Sequence, residues 1–199
     1  MISMETKTSL ISWQCQVLKR LGVRSYRLGV FFVLLFTGTS IASQGSLNEG
    51  AAKTSLLFNF AKFTTWPESA FNSKNDPLII AVIGQNPFGD ALKQIEGKRV
   101  KGRQIRIEHF ATPKDYTKSH ILFCRITSRA QLHTLIRELR LEENHVLTVG
   151  DYNGFARAGG IIGLKFRGNR LALEFNSAAA KRANLYLSEH LVNLAETVR

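Results

Sequence analysis

The chain has 199 residues, 44% apolar and 21% charged, with a formal net charge of +12. That size suits one domain with a true core, and the composition excludes wholesale disorder. The basic balance excludes an acidic solvating chain and points to anionic partners.

The first 42 residues read as an address. Lys19, Arg20, Arg24 and Arg27 precede the apolar run at 28–36, and Ser40 and Ala42 supply small residues for a peptidase site. Basic n-region, short apolar core and small-residue site together make a secretory signal peptide, removed after Ala42. The run of about nine residues falls well short of the roughly 20 a spanning helix needs, so an uncleaved anchor is the weaker reading. No cysteine follows the run at the cleavage point, which gives no support to lipid attachment there. The expected product is residues 43–199, exported across one membrane. Losing five of the 27 basic and one of the 15 acidic residues leaves it at +8. A secreted protein rarely meets nucleic acid, so lipid headgroups or envelope polymers are the better anionic candidates. Only Cys124 remains in that product, in an apolar strand-like run; a mature monomer therefore has no internal disulfide.

Residues 51–66 predict a helix. Leu56, Leu57, Phe60, Phe63 and Thr64 share one side, Phe58 lies roughly opposite beside Lys62, and Pro67 stops the helix. Residues 78–84, continuously apolar, predict a central strand covered on both faces. Asn86 and Pro87 predict a short helix reaching Gly97. Residues 100–110 alternate as one strand, and 121–124 form another. Ser128 caps a helix over 129–141 with Leu132, Leu135, Ile136 and Leu139 as its buried stripe. Residues 145–150 are a strand, and 161–166 and 170–175 flank a turn at 167–169 as a hairpin. From Asn176 or Ser177 a long terminal helix is expected, with Ala183, Leu187, Leu191 and Leu194 facing the core. The alternation implies an α/β fold: one domain with a layered mixed β-sheet flanked by helices, a C-terminal β-hairpin and a long terminal helix.

The chemistry-bearing motifs are missing. There is no G-x-S-x-G, H-E-x-x-H, C-x-x-C or Walker sequence. The glycine-rich GFARAGG at 154–160 leads into a strand, not into a helix N-terminus that would hold a phosphate. His120 and His145 each begin a strand and could be neighbours; without nearby acids, packing is the better reading than a metal site. The run 98–106 holds five positive charges in nine residues, read as the solvated face of an edge hairpin or as a site for acidic groups. No catalytic, metal or cofactor residue is assigned. On these residues alone a small-molecule sensor stays open, with its site in the loops after Gly84, Cys124 and Gly150.

Six segments taken together, NFAKFTTWP (59–67), IGQNPFG (83–89), GKRVKGR (97–103), HILF (120–123), GFARAGGIIG (154–163) and NSAAAKRANLYLS (176–188), resemble the YfiR family in order. The resemblance implies a non-enzymatic periplasmic repressor. It would bind the periplasmic portion of an inner-membrane diguanylate cyclase and so limit cyclic di-GMP and biofilm formation. It also implies a second partner, an outer-membrane peptidoglycan-binding lipoprotein that sequesters the repressor. A homodimer is a further expectation, suggested also by Phe58. Phe155, Ile161 and Ile162 carry the implied partner-binding role, with Phe155 as an exposed anchor and Phe58 as a further contact. Ser119 stands where many relatives carry cysteine, so the family's intramolecular redox switch is not available here.

Overall fold

A computed structural model describes residues 44–198 except 127, 142–144, 168–169 and 194. The expected signal peptide, the tip of the hairpin turn and Leu194 lie outside the described residues. Among those described, no helix is long and apolar enough to cross a membrane.

The chain opens with helix α1 (Gln44–Phe63), seven residues longer at its start than the apolar spacing predicts. It passes into a two-residue strand β1 (Thr64–Thr65) before Pro67. Then come β2 (Leu78–Gly84), a 3-10 helix (Gly89–Gln94), β3 (Arg99–Val100) and β4 (Arg103–Phe110). Next are β5 (Ile121–Arg125), α2 (Arg129–Leu141), β6 (Leu147–Gly150), β7 (Ile162–Arg167) and β8 (Arg170–Asn176). The chain closes with α3 (Ser177–Arg182), β9 (Tyr186–Leu187), α4 (Glu189–Asn193) and β10 (Ala195–Val198).

Eight strands form one mixed sheet in the order β10-β8-β7-β6-β5-β2-β4-β3. From β4 through β7 every pairing is parallel; β7–β8 and β3–β4 are antiparallel, and β10 joins β8 in parallel. Counted in chain order, the five central strands run 2-1-3-4-5, the doubly wound order whose switch point lies between β2 and β5. β1 and β9 make a separate antiparallel pair.

Strand β2 shows why the sheet is central. Ile80 and Val82 join a core with Leu57 and Phe60 of α1, whereas Ala81 and Ile83 join a second core with Leu132, Leu135 and Leu139 of α2. Successive side chains point to opposite faces, so a run buried on both faces must be apolar throughout. The α/β class, the mixed sheet and the hairpin are as the residue pattern implies.

Three local expectations are corrected. Residues 99–110 are a tight hairpin, because Lys101 (φ 51°) and Gly102 (φ 81°) both occupy the left-handed region that two-residue turns require. Lys101 Nζ donates to Thr64 O at 2.7 Å and Thr65 Oγ1 at 3.0 Å, which holds a non-glycine residue in that turn. Asn86 starts no α-helix: its Oδ1 accepts the Phe88 N–H at 2.9 Å, an Asx turn, and a 3-10 helix follows. The terminal helix begins under the Asn176 cap, where the Ala179 N–H reaches Oδ1 at 2.9 Å, but it is divided. Asn184 (φ 54°) ends α3, and α4 starts afresh after Ser188. Leu187 and Leu191 are still buried, on two short elements instead of one helix face.

Candidate functional site

Loop 151–160, between β6 and β7, carries the glycine-rich segment and meets three different environments. Its fold is set by backbone bonds from Phe155 N to Tyr152 O, Ala158 N to Gly154 O and Gly160 N to Phe155 O, all 2.9–3.1 Å. Phe155 is 0% exposed and packs into the core beneath α2. A Cβ on Gly150 would stand 2.5 Å from its ring, and one on Gly160 only 2.0 Å away. Two glycines thus open a slot that only a bare backbone permits, and the ring fills it. The expectation of Phe155 as an exposed anchor is therefore wrong.

Ile161 and Ile162 are buried too, in the core on the α1 side. Phe58 is half-buried against that same core, with the Lys62 and Lys98 ammonium groups 5.9 and 5.7 Å from its ring centroid. The structure separates Phe155 from the other three, placing it on the opposite face of the sheet. The large apolar side chain left on the described surface is Tyr186, at 65% exposure on β9.

The loop begins at Asp151, at the carboxyl ends of the strands. There Lys53 of α1, 1% exposed, places Nζ 2.7 Å from Asp151 Oδ2 and 2.7 Å from Glu49 Oε1. Arg125, the last residue of β5, holds the same Asp151 oxygen at 2.6 Å. Close backbone packing allows this. A Cβ on Gly50 would meet Phe88 O at 2.8 Å, and one on Gly84 would meet Arg125 O at 2.4 Å. The switch point, where the sensor reading placed a ligand, is spanned by the protein's own ion pairs. Sequence reasoning missed Lys53. Its signal was position: Lys53, Leu57 and Phe60 fall on one stripe of α1.

The loop's middle is tied to the hairpin. Asn176 Nδ2 donates to Ala156 O at 2.7 Å, and buried Glu174 of β8 accepts from Lys165 with Arg157 3.8 Å away. Among the described residues Glu174 Oε2 is buried without a hydrogen-bond partner.

His120 and His145 are structural. His120 Nδ1 accepts the Ile79 N–H at 3.0 Å, and Nε2 lies 3.2 Å from Ala70 O, which fixes Nε2 as the protonated nitrogen. Phe71 stacks on the ring at 4.3 Å, and Trp66 Nε1 donates to the His120 carbonyl at 3.2 Å. Burial lowers the His120 pKa to about 4. His145 instead donates from Nδ1 to Ala183 O at 2.9 Å. Among the described residues no group of three or more His, Cys, Asp or Glu could hold a metal ion. Cys124 is buried and its thiol is pushed up to about 12 by that burial, so it stays protonated.

The basic run is consumed locally. Arg103 donates to Ser73 O and Asp76 O at 2.9 Å each and lies 3.5 Å over Phe71, Arg99 donates to Gly102 O, and Arg106 pairs with Glu108 at 3.1 Å. That arrangement fits the edge-hairpin reading of the run.

Fold and loop together define a doubly wound α/β domain whose switch-point end carries internal ion pairs. The YfiR/HmsC-like family model matches residues 50–196, and the chain belongs to that family. No curated protein matches it. The chain is similar to the crystal structure of a conserved domain protein from Vibrio cholerae O1 biovar El Tor str. N16961, with a TM-score of 0.51 and 11% identity. That likeness covers 75% of this chain and 60% of the other, and it supports the fold alone.

Proposed function

We propose that this protein is a periplasmic regulatory binding protein, without enzymatic activity, that represses a membrane-bound diguanylate cyclase through the cyclase's periplasmic portion. The family match over 50–196 carries this reading. Repression works by population shift: the protein binds the inactive cyclase conformation more tightly than the active one. Cyclic di-GMP and biofilm formation fall as a result. An outer-membrane peptidoglycan-binding lipoprotein relieves repression by competing for the protein, which acts as a homodimer.

Phe155, Ile161 and Ile162 serve this function from inside, by holding the outer face of loop 151–160 and the β7–β8 hairpin in one shape. Phe58, half-covered beneath two lysines, contributes at the edge of the same body. Tyr186 replaces Phe155 as the aromatic contact, since interface hot spots are enriched in tyrosines that bury themselves in a partner's pocket. Deleting the gene should raise cyclic di-GMP, and complementation with Tyr186→Ala should restore repression less than the parent does. Unchanged nucleotide levels in the deletion strain, together with no cyclase recovered in an envelope pull-down, would sink the proposal.

A further inference from the structure

A second region is built differently from the switch-point end. Between α2 and α3 lies a cavity of about 250 Å³, walled by Ile136, Leu139, Val146 and Ile161. Arg140 and Arg182 also line it. Arg140 reaches over the loop, Nη2 to Gly159 O at 3.4 Å, and a Cβ on Gly159 (φ 106°) would stand 2.3 Å from that nitrogen. Glycine is therefore needed there for the backbone turn, and its bare backbone also lets the arginine approach. An adjoining cavity shares Ile136 and Arg140 and adds Arg137 and His133.

Charge decides what suits this groove. Burial and the charge of Arg182 both push the Arg140 pKa down, as expected of cations lining one cavity. Among the described residues no carboxylate lies within ion-pair distance of Arg137, Arg140 or Arg182. In the wall, Thr148 Oγ1 accepts the Ile161 N–H at 3.0 Å, while its own O–H meets no acceptor among the described residues. Both arginines also sit in the last turns of their helices, where basic residues offset the carbonyl ends, each worth roughly half a negative charge. The helix ends offset part of the charge of Arg140 and Arg182, which suits a small monoanion. Drug-sized ligands begin at roughly 300 Å³, so the occupant is small.

We propose that this groove binds a small monocarboxylate with a short apolar body, its tail against Ile136 and Ile161 and its carboxylate held by Arg140 and Arg182. Planar guanidinium forks match carboxylate geometry. The site is distinct from the switch-point loops, and it stands whether or not the protein represses a cyclase.

Calorimetry on protein exported from the full-length gene tests it, with octanoate as probe and octanol and inorganic phosphate as comparators. Octanoate should bind, with octanol and phosphate at least about tenfold weaker, since a charge-assisted hydrogen bond is worth about that factor. Arg140→Gln and Arg182→Gln should each weaken octanoate by about tenfold while melting like the parent, and Arg140→Lys should restore part of the loss. No heat with octanoate, octanol binding as tightly as octanoate, or phosphate binding more tightly would each overturn the proposal. So would arginine variants that bind octanoate like the parent, which would reduce both side chains to helix-end charges.

Discussion

The two ends of loop 151–160 use the same kinds of side chain to opposite effect. At Asp151 a lysine and an arginine converge on one carboxylate, and the lysine is buried with its charge paired. At Gly159 two arginines line a cavity that has no carboxylate among its described lining residues. Cations alone therefore do not mark a binding site. What separates a structural clamp from a receptive groove is whether the counter-charge comes from the same chain.

Phe155 lies between these ends, so its loss should disturb both. Phe155→Ala should destabilise the protein by about 4 kcal/mol, the usual cost of emptying a well-packed aromatic site, measured by urea unfolding. A loss under about 1 kcal/mol would mean that the slot between Gly150 and Gly160 collapses freely. Asp151→Asn probes the closed end alone. It removes the Asp151 charge from beside buried Lys53, which still meets Glu49, and should cost about 3 kcal/mol. A null result there would erase the distinction between clamp and groove.

His120 supplies a control away from both ends. Its pKa is lowered from 6.5 to about 4 in the folded protein, mainly by burial. The unfolded chain takes up the proton first, so the stability gained from a neutral His120 is complete above about pH 6.5. It is lost as pH falls towards 4, by roughly 3 kcal/mol in all. His120→Gln should flatten that slope in unfolding experiments between pH 4 and 6.5. The smallest effect is expected at the open end, where Arg182→Gln should change stability by no more than about 0.5 kcal/mol. A large loss there would recast the groove arginine as a structural clamp.

Legibility in the sequence followed the range of the forces involved. β2, β5 and α2 were readable because burial imposes a local period on apolar residues, and the 162–176 hairpin because two alternating runs flank a turn. Lys101 and Asn184 defeated the reading: each adopts a left-handed backbone, rare for lysine and optional for asparagine, and each divides an element that looked continuous. Phe155 failed for a non-local reason. Flanked by glycine and alanine it looks exposed, and only the approach of Gly150 and Gly160 makes its slot. The ion pairs at Asp151 join residues from three separate elements, with Lys53 alone betraying its position by helical spacing. The groove arginines gave no signal at all, since a basic residue near a helix end is ordinary.

Cys124 has a practical consequence. Among residues 43–199 it is the sole cysteine, enclosed and held as the thiol. Folding then owes nothing to oxidative catalysts, and mild reductants or peroxide should leave the protein unaltered. The molecule is in effect a blank for thiol chemistry. A single cysteine placed at Tyr186 would be its one reactive handle, and a photo-crosslinker attached there could capture whatever the exposed face meets.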